Sequence, residues 1–517
     1  MLPHRARQTA LRVLRPSPTI LNPSSGLKSR AGYSSGFVQR PSRFHGSVRT
    51  PFQFVLNIMA SVLGWLFSTH DVPKLYYAST VASVTTRKLL EKGDNAAAEG
   101  GKMSLPELVE KSCPSLHNTF RPAWWLNNGH LQTGYCVVGD FSRVDKLEYQ
   151  RTLLRTLDGG TLGLDFAPLT SDPHLREDTP VVVVLHGLTG GSHESYVRAI
   201  LAPACAPPDQ GGLGYRAVVV NFRGCAGVPL TSPQLYSAGH TDDIRTALLY
   251  ISHLYPKAPL LGVGFSLGAN VLTRYLAQEG ERSRLVAGCA LACPWDLLAN
   301  SERLRNSWWR RQIYSKALGH NLKAVLQLHL ATFESFPEAK VNTAIQEIFK
   351  QSQTTLYEFD NMITRQIGGS SPPFPFPRAE EYYVWASSHH VLRDIRVPHL
   401  CLNAMDDPIV GVLPIDEGED ALGPWVVFGT TRKGGHLGWF EEGSSAEHPH
   451  RWFHRPTLEW LRTMGEEVVP PERDLLQIRE VDGYLKEVGN DGIGCKVVGD
   501  GGHVIGVEGE GGMLAGL

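Results

Sequence analysis

An α/β fold, with a mostly parallel central sheet and helices on both faces, is predicted by three observations. Short apolar runs rich in β-branched residues, such as residues 180–186 (PVVVVLH) and 215–222 (YRAVVVNF), recur through the middle of the chain. Each run is continuous rather than alternating, as strands buried on both faces require. Helix-like segments separate the runs, and strand, helix, strand in repeated order builds a parallel sheet. Such a sheet places functional residues in the loops that follow the carboxyl ends of its strands.

The elements can be taken in order. Residues 147–157 and 161–166 read as two strands that turn at Asp158-Gly159-Gly160, a strong hairpin signal. After the runs at 180–186 and 215–222, residues 242–254 form a helix that starts from a Thr241 or Asp242 cap. Residues 260–265 are another buried strand and 268–279 a helix. Strands at 285–292, 397–403 and 424–429 follow, with a closing helix at 449–464. The domain so delimited spans 141–470, after a connecting region at 71–140. Between 292 and 397 the pattern is helical, then proline-rich at 371–378 (SPPFPFPR). Compact domains rarely carry so long a connection without function, so we expect a helical lid at about 297–395. Trp308, Trp309, Phe333 and Phe336 are candidates to line the site beneath it. Packing the lid onto the core is the plainer role for each.

Composition narrows the function. The chain has 517 residues, 42% apolar and 20% charged, with a formal net charge of −1. That balance argues against a nucleic-acid partner. Eight cysteines are scattered without a CxxC pair, which reads as buried free thiols rather than a disulfide framework or zinc site. No Asp or Glu precedes Asp71, while arginines recur among serines. Residues 1–51 therefore read as a basic leader, either a mitochondrial targeting segment or a disordered tail. Residues 52–68 (FQFVLNIMASVLGWLFS) are apolar and would reach roughly 25 Å as a helix, slightly short of a bilayer core. Gln53, Asn57, Ser61, Gly64 and Ser68 share one side, which suits an interfacial helix or a marginal span. A helix docked on the protein's own core is the alternative. We expect residues 52–70 to be a single membrane anchor, placing the protein at the endoplasmic reticulum, a lipid droplet or a mitochondrion. Residues 471–517 are glycine-heavy and read as a mobile tail without chemistry.

The chemistry-bearing residues lie at strand ends. Gly264-Phe265-Ser266-Leu267-Gly268 matches G-x-S-x-G and sits where a strand (PLLGVGF) meets a helix (LGANVLTRYLAQEG). That sharp turn lifts a serine hydroxyl above the sheet. A serine hydroxyl is a poor nucleophile at neutral pH, so a base must take its proton. A plain helix cap is the competing role for Ser266. His186-Gly187-Leu188-Thr189-Gly190-Gly191 follows an earlier strand and supplies one oxyanion amide, the residue after the nucleophile supplying the other. The expected donors are the backbone N–H groups of Leu188 and Leu267. His186 itself, at a strand end, is expected to brace the loop. After the lid, Asn403-Ala404-Met405-Asp406-Asp407-Pro408 offers the acid, and Gly434-Gly435-His436-Leu437-Gly438 offers the base. Either aspartate could orient His436; Asp407, before Pro408, is favoured, leaving Asp406 to structure the loop. His389 and Asp394 make an H-x4-D spacing that arises too readily by chance to carry weight. No metal or organic cofactor is expected.

At these residues the chain resembles the membrane-associated esterase branch of the α/β-hydrolases. That branch includes fungal medium-chain fatty acid ethyl ester synthase/esterases and animal α/β-hydrolase-domain lipases. The resemblance runs from about residue 120 to 460. It rests on residues 122–133 (PAWWLNNGHLQT), Asp158-Gly159-Gly160 with Leu164-Asp165, residues 221–225 (NFRGC), 235–243 (LYSAGHTDD), 381–388 (EYYVWASS) and 433–439 (KGGHLGW). It implies the α/β-hydrolase fold, a lipid or small acyl ester as substrate, and hydrolysis of short- to medium-chain esters and monoacylglycerols. Acyl transfer to an alcohol is the implied alternative outcome. In this branch the acid resembles the second aspartate, which supports Asp407, and an amino-terminal anchor is common. A thioesterase or peptidase could use the same groups. A catalytically dead tethered binding protein is the non-enzyme reading, and it predicts a damaged set of site residues. Oligomeric state and acyl length have no sequence signature.

Overall fold

Each continuous apolar run becomes a strand in the computed structural model, which describes residues 72–87, 99–169, 175–442 and 449–506. The basic leader and the expected anchor at 52–70 lie outside those residues. The strands of the main sheet are β1 (Lys74–Tyr76), β2 (Leu147–Thr156), β3 (Thr161–Ala167), β4 (Val181–Leu185), β5 (Arg216–Asn221), β6 (Leu260–Phe265), β7 (Leu285–Leu291), β8 (His399–Ala404), β9 (Val426–Thr431), β10 (Ile478–Val481), β11 (Tyr484–Glu487) and β12 (Asn490–Gly506). Their spatial order is β1-β9-β8-β7-β6-β4-β5-β3-β2-β12-β11-β10. The six strands from β9 to β5 are mutually parallel, and the remaining pairings are antiparallel.

Burial explains the run composition. Every residue of β4, β6, β8 and β9 is buried, because helices cover both faces of the sheet. One face packs against the helices Ser195–Cys205 and His454–Arg462, through Val197, Ile200, Leu201, Trp460 and Leu461. The other packs against Asp242–Leu254 and Leu267–Glu279, through Ile244, Leu248, Leu272 and Leu276. The hairpin foreseen at Asp158-Gly159-Gly160 joins β2 to β3, with Gly159 at φ 82°.

The carboxyl-terminal region departs from expectation. Residues 478–506 are not a tail: β10, β11 and β12 extend the sheet, and β12 pairs along the whole of β2. The glycines that suggested disorder occupy its irregular positions. Gly502 has φ 79°, and register shifts fall at Val497/Gly499 and Asp500/Gly502. Ile493 and Cys495 bury against the sheet's core. Pairing with an otherwise open edge overrides weak local propensity.

Between β7 and β8 the connection is helical, with Leu297–Asn306, Lys316–Leu328, Val341–Lys350 and Ala379–Ala386 as its longer helices. It has a core of its own, in which Leu322, Leu326, Ile345, Ile348, Phe359 and Ile363 pack together with Leu230 and Leu235.

Candidate active site

The turn after β6 is built by steric exclusion. Ser266 adopts φ 50°, ψ −116°, a backbone conformation that non-glycine residues hold only where the surroundings enforce it. A side chain at Gly264 would come within 2.6 Å of Ala269 Cα, and one at Gly268 within 2.4 Å of the Leu185 carbonyl oxygen. Both positions therefore require glycine. The Ser266 N–H donates to the Leu291 carbonyl (2.9 Å), tying the turn to the end of β7.

The loop after β9 brings His436 to this serine. Its Nε2 lies 2.8 Å from Ser266 Oγ, and its Nδ1 lies 2.7 Å from Asp407 Oδ2. Asp407 is fully buried, and its Oδ1 accepts the N–H groups of Ile409 (2.7 Å) and Val410 (2.9 Å). A carboxylate that accepts two amide protons is an acceptor on its remaining oxygen as well. His436 Nδ1 therefore donates to Asp407, leaving Nε2 as the acceptor facing the serine hydroxyl. Asp406 points elsewhere: its Oδ1 accepts the Gly435 N–H (2.9 Å) and so braces the histidine loop. Burial, with the neighbouring Asp407 charge adding to it, pushes the Asp406 carboxyl above the usual range.

Leu188 and Leu267 flank the serine in the same pocket. Leu267 opens the helix, so its amide is one of those without an intrahelical acceptor. His186 is buried, with Nδ1 2.7 Å from the Gly187 carbonyl and Nε2 accepting the Phe222 N–H (3.1 Å). Burial holds its pKa down at about 3, so it is neutral and braces the loop. His389 packs by Nδ1 against the Trp295 carbonyl (3.1 Å), and neither it nor Asp394 reaches the pocket.

Comparison with known proteins places the fold in a family. Residues 180–413 match the family model described as alpha/beta hydrolase fold. A monoacylglycerol lipase of Saccharomyces cerevisiae is 33% identical over 413 residues, covering 72% of this chain and 88% of that protein. The chain belongs to the α/β-hydrolase family. It is also 30% identical to medium-chain fatty acid ethyl ester synthase/esterase 2 of the same yeast, over 71% of this chain and 91% of the relative. The human phospholipase ABHD3 is 30% identical over 66% of this chain and 78% of its own length.

In this α/β-hydrolase the space above Ser266 is enclosed largely by leucines, with Leu297, Leu304, Leu318, Leu322 and Leu356 coming from the lid. The aromatic residues named as lining candidates do not reach it. Trp308 and Trp309 are exposed, Phe333 is buried within the lid's own core, and Phe336 also stays outside the pocket. Aromatic size drew attention to them, whereas leucines at helical spacing carry no motif.

Two supports hold the loops around the site. The helix Gly129–Val138, which begins within the 122–133 block, clamps the histidine loop: Thr133 Oγ1 accepts the His436 N–H (2.8 Å). Gln132 accepts the Phe440 N–H (2.7 Å) and donates to the Phe440 and Leu126 carbonyls. On the other side, buried Asp165 accepts from Arg151 Nε (2.6 Å) and Asn221 Nδ2 (2.9 Å), and Asn221 Oδ1 accepts the Ser192 N–H (3.1 Å). This network holds the loop that carries Leu188. The 122–133 block, Leu164-Asp165 and the 221–225 block were visible in sequence; only their partners were not.

Proposed function

We propose that this protein is a serine carboxylic ester hydrolase that acts on short- to medium-chain acyl esters, monoacylglycerols and fatty acid ethyl esters among them, through an acyl-enzyme on Ser266. The reading rests most directly on the 2.8 Å approach of His436 Nε2 to Ser266 Oγ at the foot of an apolar pocket. Ser266 Oγ attacks the ester carbonyl carbon while His436 Nε2 takes its proton. The carbonyl oxygen becomes an oxyanion, received by the backbone N–H groups of Leu188 and Leu267. Asp407 holds the imidazole tautomer and stabilises the imidazolium. His436 then returns the proton to the departing alkoxide, the C–O bond breaks, and the acyl group remains on Ser266. Water, deprotonated by His436, completes hydrolysis; an alcohol that reaches the acyl-enzyme first gives a new ester. The relatives named for monoacylglycerol and ethyl ester chemistry support this substrate range.

Membrane association belongs to the same proposal. Residues 52–70 act as an amino-terminal anchor that keeps the pocket near lipid. Among the described residues, no helix is long and apolar enough to cross a membrane. Purified full-length protein assayed on monoacylglycerols and ethyl esters of four to twelve carbons, with and without ethanol, tests the substrate reading. Turnover peaking at short to medium acyl lengths is the expected result. Absence of turnover on every ester, with cleavage of acyl-CoA or peptides instead, overturns it.

A further inference from the structure

The lid places a group of polar side chains among the leucines that line the pocket, and neither the proton relay nor the oxyanion donors use them. Asn300 and Ser301 come from the helix Leu297–Asn306, Asp360 and Thr364 from the turn Asp360–Thr364, and Tyr383 from the helix Ala379–Ala386. All five line the same pocket as Ser266 and His436. Asp360 is 6% exposed and no basic side chain pairs with it among the described residues. Its Oδ1 accepts from Thr364 Oγ1 (2.6 Å) and its Oδ2 from Tyr383 OH (2.7 Å). Both neighbouring hydroxyls thus commit their protons to the carboxyl, which keeps further lone pairs.

Asn300 supplies the complementary half. Its Oδ1 accepts the Gly411 N–H (2.9 Å), which fixes the orientation of the amide. Its Nδ2 is then buried with no partner, on a residue 5% exposed. A buried donor left unpaired is costly, and native structures keep few of them without a purpose. The lining of the pocket therefore includes an unfilled donor and a carboxyl with spare acceptor capacity. An alcohol hydroxyl, which donates once and accepts, matches that pair.

We propose that Asn300 and Asp360 form a hydroxyl-recognition subsite that selects ester substrates bearing a free hydroxyl. This rests on the ester-hydrolase reading above. The hydroxyl has two sources: the glyceryl part of a monoacylglycerol, or a hydroxyl carried on the acyl chain. A site built to hydrogen-bond a hydroxyl discriminates against the analogue that lacks it, because its own polar groups are then left unpaired.

Full-length wild type, Asp360→Asn and Asn300→Asp are compared on 1-decanoylglycerol, ethyl decanoate and ethyl 10-hydroxydecanoate. Asn300→Asp keeps the acceptor for Gly411 and replaces the amide donor with an ionisable carboxyl oxygen. Covalent labelling by a fluorophosphonate verifies that each variant retains a folded, reactive site. The kcat/KM ratio of 1-decanoylglycerol to ethyl decanoate should fall about tenfold in both variants, through KM more than kcat. A fall confined to the hydroxydecanoate-to-decanoate ratio assigns the subsite to the acyl chain instead. Ratios unchanged in both variants, or all three esters declining together, overturn the subsite. Wild type that turns over none of the three overturns the esterase reading itself.

Discussion

Ser266, His436 and Asp407 come from three loops at the carboxyl ends of β6, β9 and β8, and each is held by backbone rather than by its own side chain's preference. The two amide protons donated to Asp407 separate it from Asp406, whose carboxyl is spent on the Gly435 N–H. Asp407→Asn should therefore lower kcat about 10⁴-fold by leaving the imidazole in the wrong tautomer. Asp406→Asn should lower it far less, as steady-state kinetics on a p-nitrophenyl ester would read. A larger loss at Asp406 would reverse the assignment. Asp360 gives a prediction of another kind. Burial, only partly offset by the hydrogen bonds from Thr364 and Tyr383, raises its pKa to about 6. Tyr236, Tyr382 and Tyr383 are titratable groups that interact with it. Unfolding frees a carboxyl that ionises near the ordinary value of 3.8. The folded state thus binds more protons between about pH 4 and 6, and loses stability as pH rises through that window. Below pH 4 the penalty is absent; above 6 it is complete, on the order of 3 kcal/mol. Asp360→Asn removes it, so the gain in Tm over wild type should be larger at pH 7.5 than at pH 4.5. An equal gain at both values would place the carboxyl's ionisation elsewhere.

At the scale of elements, what was legible in the sequence depended on whether the signal was local. The helix Asp242–Leu254 and the strand Leu260–Phe265 match their sequence boundaries, because capping and continuous apolar runs are written in adjacent residues. The order of the serine, aspartate and histidine loops was equally readable. Strand β12 was not: seventeen residues with recurrent glycines lack β propensity and become a strand by pairing with β2. The lid's polar lining was invisible too, since Asn300, Asp360 and Tyr383 share one pocket only after three helices fold together. The added strands are tied down by a buried pair, Arg284 Nη2 to Glu487 Oε1 at 3.0 Å, with both side chains almost fully enclosed. Arg284 also donates to the Leu476 carbonyl. Glu487→Ala leaves that guanidinium buried without its partner and should cost about 3–5 kcal/mol in urea denaturation. Per-molecule kcat of the folded fraction should be retained. Little change in stability would mean that β10–β12 contribute weakly to the fold.

On the scale of the whole molecule, one sheet carries the chemistry, and the proposed anchor at residues 52–70 would carry location. Strand β1 begins at Lys74 and closes the sheet edge against β9. Deleting residues 1–70 stops short of it and should leave esterase activity intact while releasing the protein from membranes. Fractionation of full-length and truncated protein, followed by carbonate extraction, reads the outcome. Soluble full-length protein, or aggregation of the truncated form, would assign residues 52–70 to the fold instead of an anchor. The central claim is the acyl-enzyme on Ser266. Its most direct test is reaction of the full-length protein with a fluorophosphonate, followed by peptide mass mapping, beside Ser266→Ala. One adduct on Ser266 in wild type, none in the variant, and a loss of kcat on the order of 10⁴- to 10⁶-fold are expected. Labelling at another serine, or ester hydrolysis that survives Ser266→Ala, would contradict the account.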